Sequence, residues 1–247
     1  MLTISICFNV LSLIAGIQFI SYKGGMNYLS LATSKFLRTG SIVAISTVAT
    51  DKAKEFEKYQ STENDVIFLG DSIMSGGLWN EYFPGSFIRN RGISGTRTYD
   101  VINQLDVISE GHPHKIFLLV GINDLSGNVG NEKIVNNYEK IIKTLQLKTP
   151  KTAIYVGSIL PTNKEKIQET REKQKVIVTT VSNNDIQVMN KQLMTLCNNT
   201  GVTYVDYYSH LLDSQGELKS EITTDGLHLN SDGYLILSKV IEQYMRS

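Results

Sequence analysis

The sequence is poor in cysteine and has no excess of charge of either sign. Of its 247 residues two are cysteines, Cys7 and Cys197, and they lie far apart without the CxxC spacing of metal or redox sites. We therefore expect no structural disulfide, and the cysteine count does not identify the redox compartment. The 24 basic and 24 acidic side chains cancel, so no positive field attracts nucleic acid or an anionic membrane surface.

Motifs that hold nucleotides or metals are also missing. The sequence contains neither a P-loop nor a dinucleotide fingerprint, so no nucleotide or redox cofactor is predicted. His112 and His114 flank a proline without cysteine or acidic residues beside them, a pattern that favours a surface turn over a zinc pair. We expect a protein that works without cofactor or metal.

The N-terminus has an uncharged, apolar run at residues 2–20, a length that suits a membrane. The basic residues that begin a secretory signal are absent from it. We predict a signal peptide or membrane anchor at residues 1–22 and a linker or helical extension at 23–60. A buried N-terminal helix is the alternative. The first interpretation implies a secreted, periplasmic or membrane-anchored protein, associated with membrane through this segment alone, and the second a cytoplasmic one.

From residue 65 onward, short apolar runs alternate with segments of helical periodicity, which is typical of an α/β domain. We place this domain at residues 61–247. The predicted strands cover residues 66–69, 87–90, 116–120, 153–156 and 202–205. Residues 163–185 are polar and long for a connection, which predicts a lid or a partly mobile excursion. Ligands of such sheets gather at the carboxyl ends of the strands, so the chemistry is sought there.

A serine follows the first predicted strand, in Gly-Asp-Ser-Ile at residues 70–73. Ser72 at a strand-to-helix turn can attack a carbonyl, although Asp71 or Ser72 could equally cap the next helix. Near the end of the chain, residues 225–230 read Asp-Gly-Leu-His-Leu-Asn. His228 can accept the serine proton while Asp225 orients the imidazole, although a capping acid and a surface histidine would give the same pattern.

Two further segments supply hydrogen-bond donors. Gly92, in Arg-Gly-Ile-Ser-Gly, follows the second strand, and Asn123, in Gly-Ile-Asn-Asp, follows the third. The N–H groups of Ser72 and Gly92 and the side-chain amide of Asn123 could converge on the oxyanion of an acyl-transfer intermediate. Glycine turns after strands are also ordinary structural features.

These four segments, in this order, resemble the SGNH/GDSL hydrolase superfamily, which is named for one residue of each. The residues here are Ser72, Gly92, Asn123 and His228. The resemblance implies a three-layer α/β/α, flavodoxin-like fold with a five-stranded parallel sheet. Residues 64–72 and 90–95 are most similar to the platelet-activating-factor acetylhydrolase-like branch, whose bacterial members include carbohydrate and sialate O-acetylesterases. At residues 96–98 this chain has Thr-Arg-Thr where related sequences often have Asp-Thr-Thr.

The sequence therefore predicts a serine esterase that works through an acyl-enzyme, with Ser72, Asp225 and His228 as its triad. We expect it to remove a small acyl group, such as acetyl, from a carbohydrate or another small-molecule ester. A lysophospholipase or thioesterase is the alternative within enzymes. A non-catalytic carbohydrate-binding protein on the same fold is the alternative outside them.

Overall fold

The computed structural model describes residues 51–52, 54–175 and 178–246. The predicted signal or anchor at residues 1–22 and most of the predicted extension at 23–60 lie outside this part of the chain, as does Cys7. Within the described ranges, no helix combines the length and the apolar character needed to cross a bilayer.

Five parallel strands form the central sheet, in the order β2-β1-β3-β4-β5. They are β1 (Asp65–Gly70), β2 (Phe87–Gly92), β3 (Lys115–Leu119), β4 (Ala153–Gly157) and β5 (Thr203–Val205). All five predicted strands are present, with ends that differ by one or two residues. The order is that of the flavodoxin-like folds, so the predicted fold class is confirmed.

In the described part of the chain, nine helices follow β1 and surround the sheet. They are α1 (Ser72–Gly76), α2 (Trp79–Tyr82), α3 (Thr98–Ile102), α4 (Leu105–Ser109), α5 (Ile122–Ser126), α6 (Asn131–Lys148), α7 (Lys164–Gln174), α8 (Asn183–Thr200) and α9 (Ser231–Met245). Two single 3₁₀ turns, Ser209–Leu211 and Ser220–Ile222, lie between β5 and α9.

Apolar side chains cover both faces of the sheet and divide the core in two. Along β1, Ile67 and Leu69 pack with α3, α4, α6 and α8 on one face, while Val66 and Phe68 pack with α1, α2 and α9 on the other. This alternation gives the three α/β/α layers. It also explains why the inner strands β1, β3 and β4 are almost continuously apolar in sequence, since both of their faces are covered, whereas the edge strand β2 carries polar residues.

The chain turns from one side of β1 to the other between β2 and β3, which is the switch point of the fold. Crevices outside the carboxyl ends of strands at such points are where ligands bind in open α/β sheets. Ser72 directly follows β1 at this edge, and Asn123 closely follows β3. The two segments predicted to carry chemistry are therefore neighbours in space.

The long polar connection predicted at residues 163–185 contains a helix. Residues 164–174 form helix α7, and α8 begins at Asn183. The backbone N–H of Asn163, at the start of α7, donates to the carbonyl of Gly226 at 2.8 Å. The polar residues face solvent along a helix whose first turn is bonded to the loop that carries Asp225 and His228. The connection is therefore helical over α7, and its role as a lid stays a prediction.

Candidate active site

Ser72, His228 and Asp225 are hydrogen-bonded in series. The Oγ of Ser72 lies 3.0 Å from Nε2 of His228, and Nδ1 of the same ring lies 2.7 Å from Oδ2 of Asp225. Ser72 and His228 are 156 positions apart in sequence. The fold therefore brings together the nucleophile, base and orienting acid that the two separate motifs predicted.

The loop from Thr223 to His228 is held by hydrogen bonds within itself. Oδ1 of Asp225 accepts from the backbone N–H groups of Leu227 at 2.9 Å and His228 at 2.8 Å, which leaves Oδ2 for the imidazole. The hydroxyl of Thr223 donates to the carbonyl of His228 at 2.7 Å and accepts from the N–H of Gly226 at 2.9 Å. These contacts fix the carboxylate and the ring on one short segment.

Gly226 allows this loop to pack against α7. Its φ is +90°, a region that favours glycine. A Cβ at this position would lie 2.6 Å from the carbonyl oxygen of Asn163 and 2.7 Å from the backbone nitrogen of Ile167. The loop and the first turn of α7 are thus in contact through backbone, with no space for a side chain.

Helix α1, which begins at Ser72, is fixed at its other end by side chains from three elements. The indole N–H of Trp79 donates to the backbone carbonyl of Met74 at 2.8 Å. The hydroxyl of Tyr234 donates to the backbone carbonyl of Ile73 at 2.8 Å. The Asn90 amide also donates to Met74, at 3.0 Å. Because a short helix leaves its last carbonyls without partners in the helix, these donors stabilise α1 and the position of Ser72.

Electrostatics favour His228 as a proton acceptor. The hydrogen bond to Asp225 raises the pKa of His228 above its ordinary value of 6.5, against the opposing effect of burial. Burial alone would raise the pKa of Asp225, but its hydrogen bonds to the side chain and backbone of His228 outweigh burial and hold that pKa below the ordinary value. Near neutral pH Asp225 is ionised and strengthens the imidazole as a base.

Asp71, next to Ser72, is a fully buried carboxyl group. Its Oδ1 caps α1 by accepting the N–H of Ile73 at 3.0 Å, while its Oδ2 has no hydrogen-bond partner in the described part of the chain. Burial raises the pKa of Asp71 to about 7. The capping role that the sequence offered as an alternative for Asp71 or Ser72 thus belongs to Asp71, which leaves the Ser72 hydroxyl to His228.

The predicted oxyanion donors differ in how they are engaged. One N–H of the Asn123 side chain donates to the carbonyl of Thr96 at 2.9 Å, which leaves its second N–H available. The backbone N–H of Gly92 instead donates to Oδ1 of Asn90 at 2.9 Å. The structure does not direct this N–H at Ser72.

Gly92 has a packing reason for being glycine. A Cβ there would lie 2.2 Å from the backbone nitrogen of Ser75 in α1, so no side chain fits between β2 and this helix. Strand β2 is at the edge of the sheet, and Ile93, the next residue, donates its N–H to the carbonyl of Gly70 at 3.0 Å. Because successive N–H groups of a strand point in opposite directions, the Gly92 N–H points away from β1.

The turn after β2 contains a donor that sequence reasoning missed. Ile93 joins the turn to Gly70 at one end, and the carbonyl of Thr96 joins it to Asn123 at the other. The turn thus lies between the strand end that precedes Ser72 and the side chain of Asn123. Among the residues that the structure describes, the backbone N–H groups of Ser72 and Gly95 have no hydrogen-bond acceptor. In the sequence, the second glycine of Arg-Gly-Ile-Ser-Gly, Gly95, could have indicated this donor.

Asp124 was also missed, although it stands beside Asn123. Its carboxylate accepts from the N–H and the hydroxyl of Thr98, at 2.9 and 2.7 Å. Burial raises the pKa of Asp124, and these two hydrogen bonds oppose that effect. The pair ties the start of α3 to α5 directly behind Asn123.

Over the described ranges, no group of three or more His, Cys, Asp or Glu side chains is arranged to hold a metal ion.

A family model described as GDSL-like lipase/acylhydrolase matches residues 68–236, more than half of the chain. The chain belongs to the GDSL-like lipase/acylhydrolase family. The match includes all four of the predicted blocks, from Ser72 to His228. The resemblance read from those blocks is therefore confirmed, and family membership implies a hydrolase of the acylhydrolase/esterase type.

Solved structures of GDSL-like proteins share the fold. A structure from Streptococcus pneumoniae, named for platelet activating factor, is 32% identical, with a TM-score of 0.74 over 87% of this chain and 99% of that chain. A GDSL-like lipase from Bacteroides thetaiotaomicron is 20% identical, with a TM-score of 0.64 over 80% of this chain and 97% of that one. The second likeness is one of fold alone.

The curated relatives are longer proteins. An N-acylneuraminate cytidylyltransferase of Streptococcus agalactiae is 23% identical over 190 residues, which is 77% of this chain. The chain spans 41% of the length of that relative. The GDSL-like domain therefore matches one part of a longer protein, and the activity for which that protein is named is not assigned to this chain.

Proposed function

We propose that this GDSL-like protein is a serine ester hydrolase that works through an acyl-enzyme. The observation that carries the proposal is the hydrogen-bonded series Ser72–His228–Asp225, with contacts of 3.0 and 2.7 Å. Ser72 Oγ attacks the ester carbonyl as His228 takes its proton, and His228 returns that proton to the leaving alcohol. Water, deprotonated by His228, then releases the acid and the free serine.

For the oxyanion, we propose donors from the Ser72 N–H, the free N–H of the Asn123 side chain and the turn after β2. Within that turn Gly95 replaces Gly92 in our assignment, because the Gly92 N–H is bonded to Asn90 while that of Gly95 has no protein acceptor among the described residues. Donors fixed in advance stabilise the negative charge that develops in the transition state.

We propose a small acyl group, such as acetyl, carried on a carbohydrate. The His228 side chain is 41% exposed, so the site opens directly to solvent. A long acyl chain would need apolar surface to cover it, whereas an acetyl group does not, and an open site leaves room for a bulky sugar. The S. agalactiae relatives, named for N-acylneuraminate, support a sugar as the alcohol.

Matched esters test this function. We expect p-nitrophenyl acetate to be hydrolysed with a higher kcat/KM than p-nitrophenyl octanoate, and acetylated sugars to be deacetylated. Ser72→Ala should abolish turnover, while Ser75→Ala, three positions along the same helix, should retain it.

Other outcomes would identify the alternatives. A preference for the octanoate would favour a lysophospholipase or thioesterase. Sugar binding without turnover of any ester by the wild-type protein would favour a non-catalytic carbohydrate-binding protein and refute the esterase.

A further inference from the structure

Asp71 is a buried acid to which the proposed mechanism gives no role beyond capping a helix. It directly precedes Ser72 and is fully buried. Its Oδ1 accepts the N–H of Ile73 at 3.0 Å, while its Oδ2 has no hydrogen-bond partner in the described part of the chain. A cap needs one oxygen, which a neutral serine or asparagine also offers. The second carboxyl oxygen is therefore buried at a cost in stability that the helix does not require.

Asp124 is a second buried acid close to Asp71, and its carboxylate is fully bonded. Its two oxygens accept from the N–H and the hydroxyl of Thr98, at 2.9 and 2.7 Å. That hydroxyl accepts in turn from the side-chain amide of Asn137 at 2.8 Å. Because Asp71 has one donor and a bare oxygen, it is the acid of the two that holds a proton more readily.

The ionisable groups around Asp71 come from four parts of the fold. His228, on the loop before α9, attracts a carboxylate at position 71, whereas Asp124 in α5 repels it. The phenols of Tyr138 in α6 and Tyr234 in α9 also interact with its charge, but burial raises the pKa of each, so both stay neutral. Burial raises the pKa of Asp71 to about 7, so this carboxyl gains and loses its proton near neutral pH.

The charge of Asp71 and the proton on His228 favour each other. The pKa of His228 is raised most by its hydrogen bond to Asp225, and the carboxylate of Asp71 raises it further. By linkage, an imidazolium at position 228 favours ionised Asp71 in return. The imidazole thus has one acid bonded to its Nδ1 and a second in the residue before the serine at its Nε2.

Resting on the esterase function proposed above, we infer that Asp71 is a positioning residue that acts through His228, so that the enzyme is fastest when Asp71 is ionised and slows when Asp71 takes up a proton. Its carboxylate touches neither the substrate nor the reacting atoms. It stabilises the imidazolium that forms as Ser72 attacks, and its own proton passes to solvent before that step. Activity therefore depends on two coupled protons, one on His228 and one on Asp71.

Neutral capping residues test this inference. Asp71→Asn and Asp71→Ser keep an oxygen for the N–H of Ile73 and remove the charge. At about pH 8 we expect their kcat/KM for p-nitrophenyl acetate to be about 10-fold below wild type. At about pH 5 it should be within about twofold, because the wild-type carboxyl is then protonated as well. A purely structural cap would give one ratio at both pH values.

The pKa of His228 gives a second readout, measured by NMR of the imidazole with His228→Ala for assignment. It should be lower in Asp71→Asn than in wild type, because one of the charges that raise it is gone. Asp206→Asn is the matched control. Asp206 also caps a turn, through the N–H of Ser209, but it is exposed, and its loss should change neither the pH profile nor this pKa.

Thermal unfolding supplies a readout that needs no activity. Burial holds the pKa of Asp71 in the folded protein above that in the unfolded chain, so wild type loses stability as the pH rises toward about 7. Relative to wild type, the Tm of Asp71→Asn should therefore increase between about pH 5 and about pH 8. If neither variant folds, wild type itself decides, since the acidic limb of its kcat/KM should be steeper than loss of one proton allows.

The outcomes separate this inference from the esterase function. A kcat/KM ratio that is the same at both pH values, or an unchanged His228 pKa in Asp71→Asn, overturns the role of Asp71 and leaves the esterase intact. Higher activity of the neutral variants at the higher pH also overturns it. Failure to hydrolyse any ester refutes the esterase itself, and the NMR and unfolding measurements then still decide whether Asp71 titrates beside His228.

Discussion

The two halves of the candidate site are built in different ways. Ser72 stands at the end of a buried central strand, on a helix whose carbonyls are bonded by Trp79, Tyr234 and Asn90. Asp225 and His228 stand on a loop that is held mainly by its own hydrogen bonds and by contact with α7. The proposed nucleophile is thus positioned by the core of the fold, and the proposed base by local contacts.

This difference shows where each half is vulnerable. The sheet fixes the Ser72 half through many backbone bonds, so single substitutions there should change chemistry more than geometry. The loop half depends on a few contacts, so a substitution that leaves its chemical groups intact can still displace them. Substitutions in each half of the site distinguish these two kinds of effect.

The largest effect is expected from Asp225→Asn in the loop half. The amide cannot hold the imidazole in the required tautomer, and kcat should fall by about 10⁴-fold.

Wild-type kcat/KM should fall as pH drops through a pKa above 6.5, because His228 must be neutral to accept a proton and Asp225 raises its pKa.

In Asp225→Asn the acidic limb of the residual activity should move to lower pH, since the largest cause of the raised pKa is lost. A pH–rate profile of both proteins checks this. Asp206→Asn, which alters an acid that caps a surface turn at Ser209, is the control and should keep the wild-type profile. An unshifted limb in Asp225→Asn would show that the pair does not set the pKa.

A smaller effect is expected from Asn123→Ala in the sheet half. It removes one oxyanion donor while Ser72 and His228 stay paired, so kcat should fall by about 10²–10³-fold. Stability should change little by thermal unfolding, because the hydrogen bond lost with the side chain is a single contact to Thr96. Wild-type kcat/KM in Asn123→Ala would mean that this amide does not face the oxyanion.

Gly226→Ala tests the contact between the loop and α7, and its effect should be the smallest of the three. The added Cβ meets the backbone of Asn163 and Ile167 and takes a φ of +90°. We expect the free energy of unfolding to fall by about 1–3 kcal/mol. We also expect kcat to fall by about 10-fold, because a small shift of the loop displaces His228 from Ser72.

Gly216→Ala is the matched control for that variant. Gly216 has a φ of +80°, and a Cβ there meets nothing within 4 Å. It should lose stability through backbone strain and keep wild-type kcat. Equal kcat in both variants would show that the contact with α7 does not position His228.

The fold could be predicted from sequence because its signals are local. Runs of four or five residues, mainly apolar in four strands and half polar in β2, identified all five strands, and the four ordered motifs indicated the strand order through the family resemblance. Ser72 and His228 are chemically unusual residues at strand or loop ends, so their pairing could also be predicted. Each of these inferences needs residue types and spacing alone.

The direction of single hydrogen bonds could not be predicted in the same way. Whether Gly92 or Gly95 offers its N–H to the site depends on which edge of β2 faces β1, and sequence does not contain that register. The contact of α7 with Gly226 could not be predicted either, because it joins backbone groups and the side chains of residues 163–185 do not indicate it. Both features arise from three-dimensional packing.

The assignment of Ser72 as the nucleophile is tested most directly by covalent labelling with a fluorophosphonate, followed by peptide mass spectrometry. We predict one label, on Ser72 Oγ, that is absent in Ser72→Ala and forms far more slowly in His228→Ala, where no base accepts the proton. A label on another residue, or labelling of Ser72→Ala at the wild-type rate, would contradict the assignment of Ser72 as the nucleophile.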